Sequence, residues 1–155
     1  VQIHLIAVGN KIPGWVVNGY EEYAKRLPRE CSLKLVEINP GHRGKNANLE
    51  KAMVDEEHRI FDAIPKNARV VALEVKGKPW STQQLSQRLE SWLGGGQDIA
   101  LLVGGPEGLS ENCRKRADEL WSLSPLTLPH PLVRVLLSEQ LYRAWSILQG
   151  HPYHR

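Results

Sequence analysis

Hydrophobic and polar positions alternate between two periods along this chain. Val1–Gly9 carries Ile3, Leu5 and Ala7 on one face and His4, Ile6 and Val8 on the other. Five of these six are apolar, which predicts a strand buried on both faces, as in a parallel sheet. From Trp15 the period lengthens, and Val16, Tyr20, Tyr23 and Leu27 fall on one helical stripe closed by Pro28. A strand is expected over 32–38. A helix follows over about 48–63, with Leu49, Met53, Ile60 and Ile64 inward, and then a strand over 69–75. Ser81 and Gln84 form a capping-box pattern before a helix stopped by Gly94, Gly95 and Gly96. The most apolar strand is expected over 98–103, a helix capped by Ser110 runs to about Leu120, and a short strand lies near 121–123. Strands alternating with helices of this length indicate an α/β fold around a parallel sheet, here as a single domain over 1–155. Ligands of such sheets sit beyond the carboxyl ends of the strands. The loops after Val75, Val103 and Leu123 therefore matter most.

The last of these loops opens the longest helical pattern. In Leu123-Ser-Pro-Leu-Thr-Leu-Pro-His-Pro131 each proline removes a donor and fixes φ, which makes a stiff strap. It keeps N–H groups at Leu126, Thr127, Leu128 and His130 and apolar walls at 123, 126 and 128. That suits a flat heterocycle, although a rigid connection between two elements would read the same way. The following helix has an apolar stripe of Val133, Leu137, Leu141, Ala144 and Leu148, with further apolar residues around it. It should be buried on several sides, in the core or at an oligomer interface. Arg134, Glu139 and Arg143 interrupt it and need partners or a site. Gly104-Gly-Pro-Glu-Gly108 leaves the fourth strand, either as a tight turn or as a place where a ligand approaches backbone. It is neither a dinucleotide fingerprint nor a P-loop.

Composition changes this picture little. A chain of 155 residues can bury roughly 70% of its unfolded surface. No apolar run is long enough for a membrane span, and Val1–Gly9 does not read as a signal peptide. Cys31 and Cys113 belong to no paired motif and read as reduced thiols of a cytoplasmic protein. The formal net charge of +3 permits an RNA partner without requiring one. Basic residues in Gly41-His-Arg-Gly-Lys-Asn46, with Lys11, Lys76 and Lys78, lie on loops that can follow a phosphate backbone. His151-Pro-Tyr-His-Arg155 offers groups that can stack on a base or hold a phosphate. Its two histidines lack further ligands, so no metal site is expected.

Four segments then carry a resemblance: Gly-Gly-Pro-Glu-Gly-Leu at 104–109, Leu-Thr-Leu-Pro-His-Pro-Leu-Val-Arg at 126–134, Gln-Leu-Tyr-Arg-Ala-Trp-Ser at 140–146, and the closing His-Pro-Tyr-His-Arg. With Leu-Ile-Ala-Val-Gly-Asn-Lys at 5–11 and Arg-Gly-Lys-Asn at 43–46, the whole chain resembles the RlmH family of SPOUT methyltransferases, which modify pseudouridine in large-subunit ribosomal RNA. The resemblance implies a Rossmann-like parallel core with a C-terminal trefoil knot. It implies S-adenosylmethionine held at Leu73, Gly104, Leu123, Ser124, Pro125, Leu126, Thr127 and Leu128. It also implies a homodimer through the last helix, a 23S rRNA site built from both subunits, and methyl transfer to N3 of a pseudouridine. For the substrate side, His130, Tyr153, His154 and Glu139 are candidates to take the N3 proton. Arg143 and Arg155 are candidates to stabilise the resulting anion or hold a phosphate. Tyr153-His154-Arg155 is the favoured group, reaching across the dimer. A non-enzymatic ribosome-binding assembly factor and a SPOUT methyltransferase acting on tRNA are the alternatives.

Overall fold

Five parallel strands form one sheet in the order β2-β1-β4-β3-β5. The computed structural model describes residues 1–155. The strands are β1 (Gln2–Val8), β2 (Ser32–Ile38), β3 (Arg69–Pro79), β4 (Ile99–Val103) and β5 (Glu119–Ser122). The helices are α1 (Gly14–Ala24), α2 (Leu49–Ala63), α3 (Thr82–Gly95), α4 (Glu111–Arg116) and α5 (His130–Leu148). The period of two in β1 divides its side chains between two cores. Ile3, Leu5 and Ala7 pack with residues of α1, α3 and α5, while Ile6 and Val8 pack with residues of α2 and α4. The sheet is thus covered on both faces, as its apolar strands require. No helix is long and apolar enough to cross a membrane.

Several elements differ from the sequence pattern. β3 does not end at Val75. Leu73 and Lys78 both face Trp121 of β5, so Glu74–Gly77 is pushed out as a bulge and the strand resumes to Pro79. Glycine is needed there, because a Cβ on Gly77 would lie 2.8 Å from the Leu120 carbonyl carbon. α1 ends at Ala24 rather than at Pro28, α4 stops at Arg116, and β5 begins at Glu119. In α2 the inward stripe is Ala52, Glu56 and Ile60, whereas Leu49 is exposed. Two carboxylates occupy positions that hydrophobicity assigns to neighbours, because each has specific donors. Gly41 N–H donates to Glu56 Oε2 at 2.9 Å, and Ser110 Oγ donates to Glu57 Oε1 at 2.6 Å.

Two features fix where the chain goes after β5. Glu119 pairs with Arg69 of β3 and Arg88 of α3, which pins the edge strand to the layer beneath. α5 then packs against α1 and α3 and sends Arg134 to the end of β1. Residues 123–129 therefore run from the β5 edge across the carboxyl ends of β3 and β4.

Candidate active site

Three loops meet over those strand ends and enclose a cavity of about 350 Å³. The β3 bulge supplies Leu73, Glu74 and Val75, and the turn after β4 supplies Gly104 to Gly108. The proline strap supplies Leu123, Ser124, Leu126, Thr127 and Leu128, and α5 adds His130 and Val133. The turn after β4 is built on glycine. Gly108 has φ +78°, and its N–H donates to Gly105 O at 3.0 Å. A Cβ on Gly104 would sit 2.3 Å from the Gly108 carbonyl carbon. In the strap Ser124 bends the chain, its Oγ accepting the Leu126 N–H at 2.9 Å. The N–H of Leu126 is therefore already used, which corrects the sequence expectation. The N–H groups of Thr127 and Leu128 have no partner within the chain. Pro125 is exposed and does not line the cavity, while Leu73, Gly104, Leu123, Ser124, Leu126, Thr127 and Leu128 do. The cavity lies over β3, β4 and the strap, not at the β1/β4 switch point where a doubly wound sheet would bind a nucleotide.

Charged groups ring the cavity. Arg114 donates to Leu109 O at 2.5 Å and stands 3.8 Å from Glu74. Arg43 donates to Glu107 through Nε and Nη2, at 3.0 and 2.6 Å, and holds that carboxyl below its ordinary range. His130 lines the wall with a buried Nδ1 that has no partner in the chain. Burial first, then the cations Arg134 and Arg43, push its pKa below the ordinary 6.5, so the ring is neutral at pH 7. Arg134, 1% exposed, donates to Glu37 and to the Gly9 carbonyl, each at 2.8 Å. These partners meet the burial problem at its two terminal nitrogens, while the buried Nε has no partner in the chain.

The remaining substrate-side candidates gather elsewhere. The tail turns through a short 3-10 segment, Pro152–His154, against α5. Tyr153 donates its hydroxyl to Glu139 at 2.9 Å, and Arg143 donates to the same carboxylate at 2.7 Å. Arg143 also lies 4.9 Å from the centre of the Tyr153 ring, and Tyr142 meets that ring edge-on. Burial and the hydrogen bond to Glu139 push the phenol up to about 12. Tyr153 is thus a donor, not a base, at neutral pH. His154 is half-buried with an unpartnered Nδ1, and Arg155 is exposed. Neither Arg143 nor the tail lines the cavity. Of the residues that sequence reasoning missed, Glu107 sat inside a quoted motif, and Glu56 shared a helical stripe with Ala52 and Ile60. Glu74 and Arg114 reach the cavity through the bulge and the tertiary fold and carry no local signal.

The parallel sheet and strand-end cavity under a proline strap are those of a SPOUT methyltransferase: the profile of a family described as "Predicted SPOUT methyltransferase" matches residues 1–154. A ribosomal RNA large subunit methyltransferase H from Hahella chejuensis is 63% identical over 100% of this chain and 99% of its own. One from Thioalkalivibrio sulfidiphilus is 61% identical over the same shares. The chain belongs to this family, the ribosomal RNA large subunit methyltransferase H proteins. A solved probable methylase family protein from Haemophilus influenzae has the same fold, with a TM-score of 0.58 at 12% identity. That match covers 99% of this chain and 70% of the other. A probable methyltransferase from Bordetella pertussis gives 0.59 at 14%, covering 92% and 95%.

The methyl donor of this class is S-adenosylmethionine, and the cavity suits it. Its volume falls in the range of small-molecule sites. Leucines give apolar walls, Thr127 and Leu128 offer free donors, and Gly104 lets the lining turn pack its own backbone too closely for any Cβ. Gly104→Ala is therefore expected to push the 104–108 turn into the cavity. Overpacking of this kind costs about 1–3 kcal/mol of stability. Calorimetry should show S-adenosylmethionine affinity falling at least about tenfold, which corresponds to only about 1.4 kcal/mol.

Proposed function

We propose that the protein transfers a methyl group from S-adenosylmethionine to N3 of a pseudouridine in 23S rRNA of the large ribosomal subunit, in the cytoplasm and as a homodimer. The observation that carries this reading is the strand-end cavity, in a chain that aligns from end to end with large-subunit rRNA methyltransferases. When bound, the cofactor supplies a methyl group already activated by its sulfonium centre. The residues of the chain then have to align the acceptor, exclude water and handle the N3 proton. Leu123, Leu126 and Leu128 give the cavity an apolar wall. His130, neutral at pH 7 with a free buried nitrogen, is a group on the cavity wall able to accept a proton. Arg143 and Arg155 supply guanidinium groups that stabilise negative charge at the uracil-type ring or a phosphate. Tyr153 donates, and His154 offers a second imidazole.

The dimer is part of this reading because the tail groups do not line their own protomer's cavity. A partner packed on α5 would bring them to the other one. Trp15, 64% exposed in the first turn of α1, and Leu136, exposed on α5, offer apolar area for that contact. The trefoil knot belongs to it too. Its support is the path of residues 123–129 from the edge strand back to α5, which lies on α1 and α3.

The test incubates the protein with methyl-labelled S-adenosylmethionine and, separately, with large ribosomal subunits, protein-free rRNA and tRNA. Label is expected in 23S rRNA, as 3-methylpseudouridine after nucleoside digestion. Label confined to tRNA, or cofactor binding with no label in any RNA, would replace this reading.

A further inference from the structure

The loop between β2 and α2 is tied to the cavity rim by one side chain. Arg43 uses its fork in two directions. Nε and Nη2 hold Glu107 of the 104–108 turn, while Nη1 holds Glu56 of α2 and the Gly41 carbonyl, the latter at 3.1 Å. Glu56 also accepts the Gly41 N–H, and the adjacent Glu57 accepts Ser110 and Asn112 beyond the turn. Neighbouring carboxylates of one helix thus anchor both loops. The basic loop lies close against α2, where a Cβ at Gly41 would be only 2.4 Å from the Ala52 carbonyl oxygen. It presents exposed His42 and Lys45, suited to an RNA phosphate, within the same segment that grips the cofactor turn.

We propose that the Arg43–Glu107 pair is a latch that couples cofactor binding to ribosomal RNA binding. This rests on the methyltransferase reading above. Both ligands need the two loops in one relative position, and Arg43 sets that position. Whichever ligand binds first orders the loop that the second must use, so the coupling is positive. It is also reciprocal: each ligand raises the affinity of the other by the same factor. Arg43 acts here as a positioning residue. A lysine there would keep the charge, but its donors share one nitrogen and could not span Glu107, Glu56 and the Gly41 carbonyl as three guanidinium nitrogens do.

The experiment measures binding of S-adenosylhomocysteine, which cannot react, with and without saturating large ribosomal subunits. The wild type is expected to bind it about five- to tenfold tighter with subunits present, within the usual range of allosteric coupling. In Arg43→Lys and Glu107→Gln that ratio should fall to near one, while thermal melts verify that both variants are folded. Arg43→Lys should keep most of its affinity for subunits in the absence of cofactor, which separates the latch from simple loss of charge. A wild-type ratio of one, or a ratio intact in both variants, would overturn the latch while leaving the methyltransferase reading in place. A wild type that binds neither S-adenosylmethionine nor S-adenosylhomocysteine would overturn that reading and the latch with it.

Discussion

A chain ending at Gly150 is expected to bind S-adenosylmethionine as the full chain does and to methylate ribosomal RNA about 10²–10⁴-fold more slowly, the usual span for loss of acid–base groups. The cavity is complete without residues 151–155, since every lining residue lies between Leu73 and Val133. The fold is little disturbed as well. The tail rests on the outer side of α5, and the bonds lost are Tyr153 to Glu139, His151 N–H to Ser146 O and Arg155 N–H to Pro152 O. What disappears is a phenol, two imidazoles and a guanidinium next to the Glu139–Arg143 pair. Tyr153→Phe separates the parts. It removes only the donor to Glu139 and leaves the ring packed on Tyr142 and under Arg143. Its loss should be smaller than that of the truncation. Single-turnover labelling of large subunits, with calorimetry for the cofactor, checks both variants. Full activity in the truncated protein would remove the tail from the substrate side.

Much of the architecture was legible because burial on both sheet faces writes near-continuous apolar strands, and the helices between them keep a 3.6 period. What escaped the pattern did so for specific physical reasons. The β3 bulge is invisible locally: the strand reads as ending at Val75 with an exit loop from Lys76, and only pairing with β5 resumes it at Lys78. α2 hides its inward face because Glu56 and Glu57 are buried through donors that come from loops distant in sequence. At the site, the strap was visible from its prolines and the 104–108 turn from its glycines. The ring of Glu74, Arg114, Arg43 and Glu107 was not, because ion pairs between loops leave no periodic trace. The tail was legible only as a set of groups able to stack on a base or hold a phosphate. Its docking on α5 through Tyr153, as an ordered turn, carries no periodic signal.

Arg134→Ala is expected to be the most destabilising single change on α5, at about 3 kcal/mol. That is the low end for breaking a buried ion pair, because the Glu37 carboxylate remains partly in water. For a chain of this length the corresponding fall in melting temperature is roughly 6–12 °C. The substitution leaves the Gly9 carbonyl without its donor and opens a void where the largest fully buried side chain had been. Gly9 cannot adjust easily, since its φ of +130° already needs glycine. A built Cβ there would lie 3.1 Å from Arg134 and 3.3 Å from the His130 ring. Arg134 thereby ties the first turn of α5 to the end of β1, and that turn carries His130 and receives the strap. Cofactor affinity should fall together with stability. Arg134→Met separates the two contributions: it refills most of the volume, so any loss of affinity that persists belongs to the missing bonds to Gly9 and Glu37. Thermal melts with calorimetry read both quantities. A melting temperature unchanged by Arg134→Ala would mean that α5 is held by its apolar stripe alone, and that the buried guanidinium has no structural role.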